Sequence, residues 1–356
     1  MIEALAGIAM GLLASGPARP QDVPPAQPRD GSHDFDFNLG RWKTHIRRVA
    51  DPFAAPDRAV ELEGTVAVRP IWGGKAALEE IEADGASGHL EGMTLFLYDP
   101  QARQWSQTFA SSGQGMLQPS TIGEFRDGRG ELYAQDTFKG RSILIRGTWS
   151  HISRDAHRYD EAYSADGGAT WHTAFSAELT RLAAAAPAPA PTAVAVRDDG
   201  AHAFAFDIAR WRTHTSRLVK PLTGARTWTT LDGITDVQPI WGGKANLAVL
   251  ESDGPGGHLQ LISLRLYDPV ARQWNLTFAT SGAGQRSVPM IGRFTNGRGT
   301  FYDQESYDGR TIRVRFSIFP ISATRARSEQ AFSDDEGKTW ETNFVNLYRL
   351  ISSRGG

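Results

Sequence analysis

The chain repeats itself at one fixed offset, and this constrains its fold more than any other feature. Pro70-Ile-Trp72-Gly-Gly-Lys75-Ala76 returns unchanged as Pro239 to Ala245, 169 positions later. At the same offset His33-Asp-Phe35-Asp-Phe37 returns as His202-Ala-Phe204-Ala-Phe206, and Tyr98-Asp-Pro100 with Arg103-Gln-Trp105 as Tyr267-Asp-Pro269 with Arg272-Gln-Trp274. Gly128-Arg-Gly130 matches Gly297-Arg-Gly299, and Trp171 matches Trp340. The copies align without a gap, at roughly two identical positions in five. A period this long is a duplicated domain rather than a solenoid repeat, whose units run to roughly 20–50 residues.

The copies delimit the domains: 33–182 and 202–351, with an Ala/Pro-rich linker at 183–201 and a tail at 352–356. Alternating Ala and Pro make that linker a semi-extended spacer. Residues 1–32 read as a signal-like segment and a flexible leader. The apolar run Ala4 to Ala14 is too short to span a bilayer, Gly16-Pro17-Ala18 offers small residues for cleavage, and the usual positive n-region is missing. Export to the periplasm or medium is the expectation, with the cytoplasm as the alternative.

Within each copy the pattern is short strands and turns. Met93-Thr-Leu95-Phe-Leu97 and Ile143-Leu-Ile145 alternate with period two, as do Ile262-Ser-Leu264-Arg-Leu266 and Ile312-Arg-Val314. Pro and Gly turns join them, about ten strand candidates fill each copy, and no amphipathic helix stands out. The fold class is therefore all-β: two tandem antiparallel up-and-down β-barrels of about ten strands each, closure removing exposed edges.

Composition excludes several functions. The chain has no cysteine, so disulfides, thiolate metal sites and Cys nucleophiles are out. Thirty-eight Lys and Arg against 40 Asp and Glu provide no net basic charge of the kind nucleic acid needs. No His-x-x-x-His or Glu-x-x-His pair supports zinc.

Gly40-Arg41-Trp42 opens the first copy and Ala209-Arg210-Trp211 stands in its place in the second. Gly-x-Trp at the first strand of such a domain resembles the lipocalin and calycin group of barrels. Phe-x-Phe before the Trp, Gly-Gly after strand two, Tyr-Asp-Pro and a terminal Asp-Gly-Gly-x-Thr-Trp turn make the pattern similar to bacterial lipocalin-like domains. The resemblance covers both copies. It implies that the Trp plugs the closed end beneath an Arg from the last strand, for which Arg181 and Arg349 are the candidates. These two are one position out of register with each other, and the second copy lacks the Gly. A haem barrel resembling nitrobindin would need a proximal histidine in the lumen, and only His45/His214 or His89/His258 recur in both modules. No cofactor is otherwise expected. Ser164-Ala-Asp166-Gly-Gly168-Ala-Thr-Trp171 and its counterpart ending at Trp340 fit the Asp box of sialidase-like propellers. At one box per domain they read as structural hairpins.

Identity between copies is the filter for candidate site residues. If Trp42 points inward, Thr44, Ile46 and Arg48 share its face and His45 does not. Arg48 and Arg217 are thus lumen candidates, with Glu82 and Glu251 as the carboxylates to pair them. Trp105 and Phe109, with Trp274 and Phe278, are core or pocket wall. The expected lining adds Leu95, Tyr133, Gln135 and Arg146, with Leu264, Tyr302, Gln304 and Arg315. The leading reading is a binding protein that holds a small, largely apolar molecule with a carboxylate or other polar end in a barrel lumen, oriented by Arg48 or Arg146. The alternatives are an enzyme using acid–base chemistry in that lumen, with Glu82 and Arg146 as its groups, and a ligand-free interaction module.

Overall fold

The computed structural model describes residues 30–86, 88–183 and 200–353. The signal-like segment, nearly all of the leader and most of the linker lie outside them. Two closed antiparallel barrels of ten strands each follow one another along the chain. The first comprises β1 (Gly40–Val49), β2 (Ala59–Ile71), β3 (Ala76–Gly85), β4 (Gly88–Asp99), β5 (Gln104–Ser111), β6 (Thr121–Arg126), β7 (Arg129–Phe138), β8 (Arg141–Ser150), β9 (Ala156–Ser164) and β10 (His172–Arg181). The second comprises β11 (Ala209–Leu218), β12 (Trp228–Ile240), β13 (Ala245–Gly254), β14 (Gly257–Asp268), β15 (Gln273–Thr280), β16 (Met290–Thr295), β17 (Arg298–Tyr307), β18 (Arg310–Ser322), β19 (Arg325–Ser333) and β20 (Glu341–Ser353). Each strand pairs with its sequence neighbours, and β1 with β10 and β11 with β20 close the rings. Among the described residues no helix is long and apolar enough to cross a membrane.

The Phe-x-Phe segment ahead of each barrel is its plug. Phe35 packs against Phe96, Trp105 and Phe125 with ring centroids 4.6, 5.0 and 4.9 Å away. Polar groups of the barrel floor hold the plug's backbone: Trp105 Nε1 donates to the Gly31 carbonyl at 2.8 Å and Trp42 Nε1 to that of Asn38 at 2.8 Å. Phe204, Trp274 and Trp211 repeat the device, with Gly200 and Asp207 supplying the carbonyls.

The first-strand Trp is capped differently in the two barrels. The Arg181 guanidinium lies 3.9 Å over the Trp42 ring and donates to the carbonyls of Leu39 and Phe37. The expected counterpart Arg349 instead points outward and is exposed. Leu350 faces Trp211 across the strands, where Arg181 faces Trp42. This explains the missing glycine. Gly40 has φ +121°, and a Cβ there would sit 2.7 Å from the Arg181 guanidinium; Ala209, two residues before a Trp211 that faces Leu350 rather than an arginine, has no such φ. Gly40→Ala is therefore expected to lower stability by roughly 1–3 kcal/mol, and Arg181→Leu in the same chain to relieve part of that loss. Urea titration of the two variants checks this; equal loss in both would refute it.

The outer walls of β3–β5 and β13–β15 are buried against each other. Ile71, Leu78, Met93, Leu95 and Leu97 form one apolar cluster with Ile240, Leu247, Ile262, Leu264 and Leu266. The tight turns after β5 and β15 cross to the opposite barrel at matched positions. A Cβ on Gly115 would lie 1.9 Å from the Tyr267 carbonyl, and one on Gly284 2.0 Å from that of Tyr98. Asn275 Nδ2 donates to the Gly115 carbonyl at 3.1 Å, Gln285 Nε2 to Asp99 at 2.7 Å, and Arg286 Nε to Ser120 at 3.0 Å. The two barrels thus meet through a two-fold-like face. Both Leu95 and Leu264, expected in the lumens, belong to it.

Candidate functional site

The inward faces of the first barrel enclose a cavity of about 360 Å³ above the plug. Strand parity from Trp42 places Thr44, Ile46 and Arg48 on its wall. Val66, Ile81, Leu90, Phe109 and Phe175 supply apolar surface. Arg48 is exposed at the open end.

Two carboxyl groups face this cavity, Glu79 and Glu161. Glu79 lies at the floor, buried, and accepts hydrogen bonds from Thr94 Oγ1 at 2.8 Å and Asn38 Nδ2 at 3.2 Å. Burial raises its carboxyl above the ordinary range, against those two bonds. Nearer the mouth, Glu161 accepts from the Tyr163 hydroxyl at 3.0 Å and the Tyr159 hydroxyl at 3.4 Å, and burial raises its carboxyl too. Among the described residues neither carboxyl has a Lys or Arg partner. Trp149 Nε1 donates to Gln107 Oε1 at 2.9 Å, and the buried Thr44 hydroxyl has no partner among the described residues.

The second lumen is smaller, about 200 Å³, and differently equipped. Its floor holds a buried ion pair between Arg265 and Asp207, and the guanidinium also donates to Asn246 at 3.2 Å and Ser263 at 3.2 Å. Arg265 stands where the first barrel has Phe96, Asp207 where it has Asn38, and Ala248 where it has Glu79. Thr215, Asn346, Ser328 and Tyr348 form a closed hydrogen-bond network beside it. On the wall, burial and the neighbouring Glu305 push Asp303 up to about 7.

The expected site residues divide between lumen, core and outer wall. Phe109 and Phe278 line the two cavities. Trp105 and Trp274 are buried in the plug cores. Arg217 is exposed, like Arg48. Glu82 and Glu251 are exposed on outward-facing positions of β3 and β13, because inward parity there falls to Glu79 and Ala248. Tyr133, Gln135 and Arg146, and equally Tyr302, Gln304 and Arg315, are on the outside. Arg146 stacks 4.4 Å over the Trp171 ring and Arg315 4.5 Å over Trp340, while Tyr133 and Tyr302 pack near those rings at 6.2 and 6.0 Å. The Glu82–Arg146 acid–base pair is therefore not assembled in either lumen.

The Asp boxes are hairpins between β9 and β10 and between β19 and β20. Asp166 accepts from the Thr170 amide at 2.9 Å and hydroxyl at 2.6 Å, bonds that hold its carboxyl well below the usual range. Asp335 repeats this with Thr339 and lies at about 2.

Neither recurrent histidine pair faces a lumen. His45 lies between Glu61 and Glu63 on the outer wall, and His214 beside Asp232. His89 and His258 pair with Asp84 and Asp253 at exposed hairpins. Among the described residues no group of three or more His, Asp or Glu is arranged to hold a metal. Among the described residues the buried histidine is His157, enclosed by Trp42, Phe37 and Trp149, and both its ring nitrogens are without a partner there.

Burial, together with the Arg181 charge, lowers His157 to about 3. A histidine whose folded value lies below its unfolded one binds fewer protons when folded, so stability falls as pH drops from about 6.5 towards 3. The expected loss by pH 3 is on the order of 3–5 kcal/mol. His157→Leu is expected to flatten that slope, read as stability against pH by urea titration; an unchanged slope would remove His157 from the account.

The fold and lumens define a tandem β-barrel protein with one roomy, acid-floored cavity and one smaller cavity with a neutralised floor. No protein-family model matches the chain, and no curated protein does. Among solved structures, a DUF3598-family protein of unknown function from Nostoc punctiforme matches at 10% identity and TM-score 0.29, covering 90% of this chain and 99% of its own. An S-type phycobiliprotein lyase from Guillardia theta matches at 13% identity and TM-score 0.30, over 42% of this chain and 92% of its own. Transferrin-binding protein B from Haemophilus parasuis matches at 8% identity and TM-score 0.19, over 87% of this chain and 75% of its own. None of these likenesses carries function across to this chain.

Proposed function

We propose that the chain is a small-molecule binding protein of lipocalin-like type, holding a largely apolar ligand with a polar end in the lumen of its first barrel. The observation that carries this reading is the cavity itself. Its volume of about 360 Å³ falls within the roughly 300–1,000 Å³ range of ligand pockets, and apolar walls surround a few convergent polar groups. A barrel serving only to present its outer surface gains nothing from an open lumen that keeps a buried carboxyl and an unpartnered hydroxyl, since both cost stability.

Titration of the full chain with N-phenyl-1-naphthylamine, a neutral apolar dye that brightens on leaving water, tests this. Saturable binding is expected at one site per chain. Ile81→Trp, which fills the cavity from β3, is expected to weaken it at least tenfold while the melting temperature is kept. Absence of saturable binding, or binding untouched by this substitution, would overturn the reading.

A further inference from the structure

We infer that the floor of the first lumen recognises a protonated amine, so that its ligands are amphipathic amines rather than carboxylates or alcohols. The inference rests on the ligand-binding reading above and deepens it. It reverses the polarity expected from the sequence, in which Arg48 or Arg146 meets an anionic end.

The donors around the two carboxyls are already in use. Thr94 and Asn38 give theirs to Glu79, Tyr163 and Tyr159 give theirs to Glu161, and Trp149 gives its own to Gln107. What remains at Glu79 and Glu161 is acceptor capacity: each carboxylate oxygen offers two lone pairs, and these carboxyl oxygens each receive one protein donor. A ligand completing this site must bring N–H or O–H donors. An ammonium brings three together with the positive charge that two carboxyl groups lack, in a cavity where a charge-assisted bond is strong. A carboxylate would place a third acid beside Glu79 and Glu161, with Arg48 as the cavity's cation and that one exposed at the mouth.

The duplicated barrel supplies an independent observation. There the carboxylate at the lumen floor is met by a cation from the protein's own chain: Arg265 reaches Asp207, and its stem takes the position of Phe96. The first barrel has the acid without the arginine, and it has the larger cavity. One floor carries a built-in guanidinium; in the other, Phe96 fills that position and Glu79 faces the cavity without a cation from the described residues.

The test is isothermal titration of the full chain with n-octylamine, 1-octanol and octanoate, three probes that share an alkyl chain and differ in the head. Octylamine is expected to bind at least tenfold more tightly than octanol, with octanoate weakest. Glu79→Gln is expected to bring the amine-to-alcohol ratio to within about twofold, and Glu161→Gln to reduce it by a smaller factor. The wild-type ranking alone decides the inference if a variant fails to fold. Octanol or octanoate binding as tightly as octylamine would overturn the amine assignment and leave ligand binding standing, as would a preference that survives both substitutions. Failure of all three probes together with the naphthylamine dye would overturn the ligand-binding reading itself.

Discussion

Aspartate in place of Leu95, or of its counterpart Leu264, is expected to part the two barrels without unfolding either. Each leucine is about 1% exposed and lies in the apolar layer shared by the outer walls of β3–β5 and β13–β15. A carboxylate there would be packed among apolar side chains, and an unpaired buried charge costs several kcal/mol. The strand ladders of each barrel close on themselves, so the cheapest relief is separation along the shared face. Small-angle scattering is expected to show a larger radius of gyration, with far-ultraviolet circular dichroism unchanged. Calorimetry is expected to resolve two melting transitions where the parent shows coupled ones. Gly115→Val tests the same face from the turn, because the new side chain has both a left-handed φ of +61° and the Tyr267 carbonyl against it. A compact Leu95→Asp chain with one unshifted transition would show that the face contributes little.

This buried outer face also explains which parts of the structure are legible in the sequence. The 169-residue offset marks two equal domains, and the period-two runs and Gly turns mark antiparallel hairpins. Parity from Trp42 places Thr44, Ile46 and Arg48 on the inner face because β1 has water on its other side, so its apolar and polar positions alternate cleanly. β4 breaks that condition. Met93, Leu95 and Leu97 face the sister barrel while Thr94 and Phe96 face the lumen, so both faces are buried and alternation cannot tell them apart. The more apolar set reads as the lumen, and it is the interface.

The floor of the site escapes the sequence for a different reason. Identity between the two copies, used as a filter for functional candidates, selects what the barrels share. The shared set includes the Tyr133–Trp171–Arg146 stack, the hairpins and the plug tryptophans, all of them scaffold. Glu79 fails that filter because its counterpart is Ala248, although a carboxyl amid β3's inward apolar positions Ala77, Ile81 and Ala83 is the anomaly that marks a lumen site. Coordinated differences between the copies are the better signal: Asn38, Glu79 and Phe96 change together to Asp207, Ala248 and Arg265.

That coordinated change leads to the second large effect, on the floor of the second barrel. Arg265→Phe, which writes in the first barrel's residue, is expected to cost about 3–5 kcal/mol, because it leaves the Asp207 carboxylate buried and unpaired. Asp207→Asn is expected to cost a similar amount by stranding the guanidinium, whose remaining partners, Asn246 and Ser263, carry no charge. The two substitutions together restore the pairing of residue types found at Asn38 and Phe96, an uncharged pair with an aromatic ring against the plug. The introduced phenyl ring would then meet Phe204 where the Arg265 guanidinium now lies 4.6 Å over that ring. The double variant is therefore expected to be more stable than either single one, giving a favourable coupling of roughly 3 kcal/mol or more in a double-mutant cycle followed by urea unfolding. Additive losses would show that Asp207 and Arg265 are held by their surroundings rather than by each other. The floor of the second barrel would then be no internal counterpart of an amine bound in the first.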